Sequence, residues 1–132
     1  GQSRPPITAA GVACAFSAGD YSSAFAKKWI AFCHKNIPYG RGRMPHDEYQ
    51  NYYLAQAVYV LGEDRYKAMF PTAADSDCLT WSRFRDVMHP YLKASQTTDG
   101  SWTGNYVGPV FGTATALTIL QLENNTLPIY MR

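Results

Sequence analysis

The amino-acid sequence predicts an all-α protein made of antiparallel helical hairpins, with about five main helices and a short one. Two observations carry this prediction. Alternation of apolar and polar residues over five or more positions, the pattern of a half-buried strand, is hard to find. Apolar residues spaced three and four positions apart, the pattern of a helix, recur along most of the chain.

The composition is that of one globular domain spanning residues 1–132. Hydrophobic residues make up 46% of the chain and aromatic residues 14%, which places it away from disordered proteins. The formal net charge of +2 is too small to favour nucleic acid as a partner. No apolar run reaches the roughly 18 residues that a membrane-spanning helix needs. We therefore expect no nucleic-acid partner and no membrane span.

Three cysteines, Cys14, Cys33 and Cys78, are too few for a disulfide framework. Cys14 and Cys33 fall on neighbouring predicted helices, so a bridge between them stays open. The preferred interpretation is buried free thiols, because unpaired cysteine packs as a small hydrophobic residue.

The first two predicted helices differ in character. Residues 8–18 are small and apolar on nearly every side and end at Gly19, which predicts a buried helix. Asp20 or Ser22 can cap the next helix, which ends near Asn36. The second helix is amphipathic, so its apolar face is predicted to be buried. That face consists of Phe25, Ala26, Trp29, Phe32 and Cys33.

The middle of the chain repeats the two types of helix. A helix is predicted over residues 47–61, and its stretch 52–61 has only Gln56 as a strongly polar residue, so this stretch is predicted to be buried on all sides. A loop over residues 37–46 precedes this helix. Residues 63–70 predict a short helix after it, and a second loop follows over residues 72–79. A helix from residue 80 or 81 to 95 is amphipathic, and Pro90 predicts a kink or local break in it. Its predicted buried face holds Trp81, Phe84, Val87, Met88, Tyr91 and Leu92.

The last helix is predicted over residues 110–122, with Pro109 in its first turn and a packed, extended tail over 123–132. The order is therefore buried, amphipathic, buried, amphipathic, buried. Core and surface helices in alternation are typical of an α-solenoid or a closed α/α barrel, because each hairpin covers its apolar face with its neighbours.

Residues 46–132 resemble the squalene cyclase and prenyltransferase repeat family, a group within the terpenoid cyclase superfamily whose fold is the α/α toroid. Residues 52–57 and 112–117 are similar to its inner helices, and residues 91–96 to the end of an outer helix. The turn at residues 99–102 resembles its Gln-to-Trp motif, and residues 127–132 resemble the ending of uncharacterised bacterial members.

The resemblance implies structural roles for the turn residues Gln96, Asp99, Gly100 and Trp102. Gln96 is expected to reach backbone groups at a helix end, and Trp102 to cover the hairpin junction. Gly100 would supply a backbone conformation that other residues resist. A full toroid has more hairpins than this sequence, so we expect a C-terminal fragment of a longer protein or an open version of the ring.

Candidate catalytic groups are weak. The acidic residues Asp75 and Asp77 lie in a loop and do not form an Asp-rich acid motif. The spacing of Asp77, Cys78 and His89 does not reproduce the family's zinc triad. The pattern therefore predicts no catalytic residue, metal or cofactor. An acid/base or anion site, weighed against ordinary solvated loop charges, would draw on His34, His46, Asp47 and Glu48.

Polar and aromatic residues on the inner helices are candidates to line a cavity for an apolar ligand, although packing between hairpins explains them as well. They are Tyr52, Tyr53, Gln56, Thr113 and Thr115. The leading hypothesis is a noncatalytic domain that acts as a scaffold or binding surface within a larger protein. The alternative is part of a terpenoid cyclase or prenyltransferase-like enzyme whose catalytic residues lie outside this chain. Its expected partners are the rest of its own chain and, through exposed hairpin faces, a second copy.

Overall fold

A computed structural model describes residues 4–41 and 47–124, and their regular secondary structure is helical, as the sequence predicts. The described residues contain no strand. Two 3₁₀ turns, Asp75–Asp77 and Leu122–Asn124, accompany the α-helices. The helices are α1 Pro5–Ser17, α2 Ala24–Asn36, α3 Asp47–Leu61, the short α4 Arg65–Met69, α5 Trp81–Ser95 and α6 Pro109–Gln121. The all-α class and the number of helices are thus confirmed for the described part of the chain.

Helix α3 is the centre of the fold. It packs against α1, α5 and α6, while α2 packs against α1. Four of its residues, Leu54, Ala55, Ala57 and Val58, have no exposed surface. The sequence predicted a helix buried on all sides here, and burial by three neighbouring helices is the physical reason that it carries so few polar residues.

Helices α1 and α6 are buried on one side only, which corrects the prediction that both are buried helices. Ile7 of α1 is 69% exposed, and Val110 and Leu117 of α6 are 86% and 48% exposed. Both helices pack on α3 with their other side. Both helices are apolar on nearly every side, which predicted that they would be buried on every side. The sequence did not indicate that one face of each helix is exposed.

The buried face of α2 differs from the predicted one. Phe25 and Trp29 are exposed and pack against each other at the surface, with their ring centroids 5.9 Å apart. The fully buried residues are Ala26, Ile30 and Cys33, which lie at positions i, i+4 and i+7. The predicted face is therefore confirmed for Ala26 and Cys33 and wrong for Phe25 and Trp29, and the buried face includes Ile30 instead.

The N-cap of α2 is Ser23 rather than Asp20 or Ser22. The Ser23 hydroxyl accepts a hydrogen bond from the Ala26 amide at 3.1 Å. Asp20 still contributes, because its carboxylate accepts a bond from the Ser23 amide at 3.0 Å and so holds the capping residue.

Helix α5 runs from Trp81 to Ser95 without the local break that Pro90 predicted. Pro90 is exposed, and so is Asp86, whose carbonyl four positions earlier loses its helical donor. The prediction of the buried face is confirmed for Trp81, Phe84, Met88 and Leu92. It is wrong for Val87, which is 42% exposed.

The three cysteines are free, and no bridge joins Cys14 to Cys33. Cys14 is exposed, contrary to the expectation of a buried thiol, while Cys33 and Cys78 are buried. Burial raises the pKa of the Cys33 thiol to about 12, so this side chain packs as a neutral group.

The turn between α5 and α6 is organised around Asp99. Its carboxylate accepts bonds from the Thr97 hydroxyl at 2.6 Å and from the Ser101 amide and hydroxyl at 3.0 and 2.7 Å. Gly100 adopts φ +85°, a left-handed conformation that favours glycine. The predicted role of Gly100 therefore agrees with its backbone geometry. Of the predicted tail, Glu123 and Asn124 lie in a 3₁₀ turn, and residues 125–132 lie outside the described residues.

We expect the Asp99 carboxyl to titrate far below its usual range. Hydrogen bonds from Thr97 and Ser101 lower its pKa from 3.8 to about 2. Because the pKa is lower in the folded state, Asp99 stabilises the fold above pH 3.8, and this stabilisation is lost as the pH falls toward 2. Carboxyl ¹³C NMR titration measures the pKa directly. A Thr97→Val substitution should raise it, and an unchanged value would show that the threonine bond does not form.

Candidate functional site

A small cavity lies where α3, the end of α5, the turn after it and α6 meet. Its volume is about 60 Å³, less than half of the roughly 150 Å³ of a cavity that binds benzene. The wall combines polar and apolar side chains from all four segments: Glu48, Asn51, Tyr91, Leu92, Ser95, Trp102, Thr103, Gly104, Asn105, Gly112, Thr115, Ala116 and Ile119.

Helix α3 supplies Glu48 and Asn51, which lie three positions apart and therefore on one helix face. Asn51 is only 7% exposed. Its Oδ1 atom is fully buried and has no hydrogen-bond partner among the described residues. A buried polar atom without a partner costs about 1–3 kcal/mol, so this oxygen needs an explanation.

The end of α5 and the turn form a second wall in which the donors are already used. The buried Trp102 donates from Nε1 to the carbonyl of Leu92 at 2.9 Å. The Ser95 hydroxyl donates to the same carbonyl at 3.0 Å. This carbonyl belongs to the last turn of α5, where helical partners run out, so both side chains satisfy a helix end.

Helix α6 supplies Thr115, whose hydroxyl donates to the carbonyls of Phe111 and Gly112 at 3.1 and 3.0 Å. Gly112 lies against the turn so closely that a Cβ atom would come within 2.6 Å of the Gly104 amide nitrogen. The glycine pair thus brings α6 and the turn together at the cavity wall.

Glu48 connects α3 to the turn at the cavity. The Asn105 amide donates to its Oε1 atom. Glu48 is the one carboxylate among the described residues that line the cavity.

Taken together, the hydroxyls of Ser95 and Thr115 and the indole of Trp102 donate to helix carbonyls. Glu48 adds a carboxylate to the wall, and a guest that brings a hydrogen-bond donor would bond to it.

Of the five predicted ligand residues, the structure places only Thr115 on this cavity. Tyr52 and Tyr53 pack against each other with ring centroids 5.0 Å apart. Gln56 donates from Nε2 to the Tyr52 carbonyl at 3.1 Å, and Thr113 accepts a bond from the Trp102 amide at 3.0 Å. These four side chains therefore take part in packing and local hydrogen bonding.

The hydrogen bond to a helix-terminal carbonyl that was expected of Gln96 is made by Trp102 instead. Gln96 donates from Nε2 to the Gly100 carbonyl at 2.8 Å, a bond inside the turn. The Trp102 indole is buried at the junction, where the resemblance had placed it.

The residues proposed for an acid/base or anion site are separated. Glu48 lines the cavity, whereas His34 lies on a wide, open depression beside Tyr66, with Nδ1 3.0 Å from the tyrosine hydroxyl. Burial lowers the pKa of His34, and nearby Asp77 opposes this shift. His46 lies outside the described residues.

The weak zinc triad is also not assembled. Cys78 donates from Sγ to the Ala74 carbonyl at 3.5 Å, while His89 packs edge-on against Trp81. The described residues include no group of three histidine, cysteine or acidic side chains that could hold a metal ion.

A scan of protein-family models and searches of curated proteins and of solved structures each find no match to this chain. Membership of the squalene cyclase and prenyltransferase family therefore stays a prediction. None of the helices over residues 4–41 and 47–124 has the length and apolar character needed to cross a membrane.

Sequence reasoning missed Asn51, and it weighed Glu48 as a member of an acid/base or anion site against a solvated loop charge. A signal was present for Asn51, because two polar amides, residues 50 and 51, directly precede the stretch 52–61 that was predicted to be buried on all sides. A buried polar residue is more informative than an exposed apolar one, since it needs a partner.

Proposed function

We propose that this chain is a noncatalytic helical domain that works as a binding surface within a larger protein, and that the cavity beside α3 receives a small polar group. The observation that carries the proposal is the buried Oδ1 atom of Asn51, which has no partner among the described residues. Functional sites are where proteins tolerate such unfavourable groups.

The arrangement of the wall supports binding rather than catalysis. The hydroxyls of Ser95 and Thr115 donate to helix carbonyls, so neither is paired with a base that would activate it as a nucleophile. A second carboxylate for general acid/base work is not among the described lining residues. What the wall offers is a set of fixed acceptors in a closely packed setting, which suits recognition.

The cavity is too small for the apolar-ligand site that the inner-helix residues suggested. Its volume of about 60 Å³ leaves room for a terminal group and not for an aromatic ring. The apolar faces of α1 and α6, with Ile7, Val110 and Leu117 exposed, remain candidate surfaces for a second copy or for other parts of the same protein. Self-association stays a prediction.

We expect Asn51→Leu to abolish binding in the cavity and to raise the free energy of unfolding by about 1 kcal/mol, because it removes an unpaired buried oxygen at similar volume. Propylammonium, 1-propanol, acetamide and benzene serve as probes. Binding is measured from ¹H–¹⁵N shifts of the amides at Gly112, Thr115 and Ala116, and stability from urea unfolding.

The matched control is Gln50→Leu, which changes an amide of similar burial that does not line the cavity. This variant should still bind the polar probes. If the unsubstituted protein binds none of the four probes at the cavity amides, the proposed function is wrong. Binding of benzene alone would also contradict it, since that ligand leaves Asn51 unpaired.

A further inference from the structure

Helices α1 and α2 form a hairpin whose outer surface carries exposed apolar side chains. Ile7 of α1 is 69% exposed, and Phe25 and Trp29 of α2 are 67% and 37% exposed. A Cβ atom on Gly11 would lie 3.7 Å from the Trp29 ring, so the indole lies against α1. Gly11 is about one helical turn after Ile7, so the apolar surface continues from α2 onto one side of α1. This surface, the hairpin face, consists of Ile7, Gly11, Phe25 and Trp29.

The positive charge of the chain is concentrated in the same hairpin. Residues 4–36 contain one acidic residue, Asp20, and four basic ones: Arg4, Lys27, Lys28 and Lys35. The whole chain has a net charge of only +2, so the hairpin is more basic than the rest. Lys28 and Lys35 are exposed, and the ion pairs among the described residues all lie outside α1 and α2.

The lysines lie beside the aromatic residues on the surface of α2. Lys28 follows Phe25 by three positions, which makes the two side chains neighbours on the helix. Lys35 follows Lys28 by seven positions, or about two turns, and continues the same row. A line of positive charge therefore runs along α2 next to the hairpin face.

Trp29 differs from the other two tryptophans in its hydrogen bonding. Trp81 donates from Nε1 to the Glu123 carboxylate at 2.5 Å, and Trp102 donates to the Leu92 carbonyl at 2.9 Å. Trp29 donates to no residue that the structure describes. An indole with its ring on an apolar surface and a free N–H suits a membrane interface, where one end of the side chain meets apolar groups and the other meets polar ones.

Charge complementarity distinguishes this surface from the exposed side of α6. Val110 and Leu117 of α6 are also exposed, but Pro109–Gln121 contains no charged residue. Helices that lie in a membrane interface combine tryptophan or phenylalanine with lysine or arginine, as the hairpin does. A protein partner has to provide a pocket for each anchoring ring, whereas the boundary of a bilayer accepts exposed rings without one.

We propose that the α1–α2 hairpin is a docking surface for an anionic lipid bilayer. Ile7, Phe25 and Trp29 enter the boundary between headgroups and acyl chains. Lys28 and Lys35 remain at the level of the headgroups and pair with lipid phosphates and carboxylates. No residue of α1 or α2 lines the cavity beside α3, so this interaction goes beyond the proposed function and does not depend on it.

The test is co-sedimentation of the whole chain with vesicles of phosphatidylcholine, either alone or with about 30% phosphatidylserine. We expect binding to the anionic vesicles to be at least about tenfold tighter and to weaken as salt is added. Phe25→Ser should weaken it at least about tenfold, because this side chain is largely exposed and would be buried in the lipid. Lys28→Gln should weaken it about fivefold.

Matched controls come from other helices of the same chain. Leu117→Ser removes an exposed apolar side chain of α6, and Lys93→Gln removes an exposed lysine of α5. Neither should change binding to the anionic vesicles. Far-UV circular dichroism and urea unfolding check that Phe25→Ser is folded. Brominated lipids should quench tryptophan emission, and Trp29→Phe should remove the quenched part, because Trp81 and Trp102 are buried.

Failure to bind the anionic vesicles overturns the proposal, and so does an equal loss of binding in Leu117→Ser and Phe25→Ser. Equal binding to both kinds of vesicle overturns the role of the lysines. Equally tight binding to polyglutamate would show that the hairpin recognises acidic protein rather than lipid. Self-association that Phe25→Ser abolishes, measured by sedimentation, would assign the hairpin face to a second copy. All of these outcomes leave the cavity untouched, because amide shifts at Gly112, Thr115 and Ala116 test it separately.

Discussion

Substitution of Trp102 by alanine is expected to lower the free energy of unfolding by about 4 kcal/mol, the largest effect that we predict for one side chain. The indole is 7% exposed and lies in the same core as Leu92, Met88 and Ile119. It also donates to the Leu92 carbonyl, so its removal takes away both apolar packing and a hydrogen bond at the end of α5.

Trp102→Phe separates these two contributions. It keeps an aromatic ring and removes the Nε1 donor, while the Ser95 hydroxyl still bonds the Leu92 carbonyl. We expect a loss of about 1–2 kcal/mol, clearly smaller than that of the alanine variant. Urea unfolding followed by far-UV circular dichroism measures both. A loss below about 1 kcal/mol for Trp102→Ala would contradict the buried position of the indole.

Substitution of Gly112 by alanine is expected to destabilise the protein by about 3 kcal/mol, at the upper end of overpacking effects. A Cβ atom at this position would lie 2.6 Å from the Gly104 nitrogen, 2.7 Å from its Cα and 2.8 Å from the Trp102 carbonyl oxygen. All three are backbone atoms, so no side chain can rotate away to make room. The turn and α6 would have to move apart, and the cavity wall with them.

Gly11→Ala is the matched control, because Gly11 also lies inside an apolar helix. There the new Cβ would meet only the ring of Trp29, at 3.7 and 3.8 Å, which is ordinary van der Waals contact. Alanine is the better helix former, so this variant should gain about 0.5–1 kcal/mol. Thermal and urea unfolding compare the two variants directly. Equal effects of the two substitutions would show that α6 does not approach the turn as closely as described.

The sequence was sufficient for the elements of the fold because each helix carries its own local signals. The helix predicted over residues 47–61 is α3, Asp47–Leu61, and Pro109 begins α6 as expected of proline in a first turn. The roles of Asp99 and Gly100 in the turn after α5 were expected from the resemblance, and Gly100 has the left-handed φ of +85° that such a turn needs. Periodicity, capping and turn chemistry act within a few residues, so a single sequence reveals them.

The tertiary structure alone decided which residues share a space. Whether Phe25 or Ile30 is buried depends on where α1 lies against α2, and spacing along α2 does not settle this. Glu48 meets Asn105 across 57 positions of sequence, and Asn51 lies beside residues of α5 and α6, because helix packing brings distant segments together. The sequence determined the helices and their turn by local interactions, whereas the cavity and its unpaired oxygen follow from long-range packing.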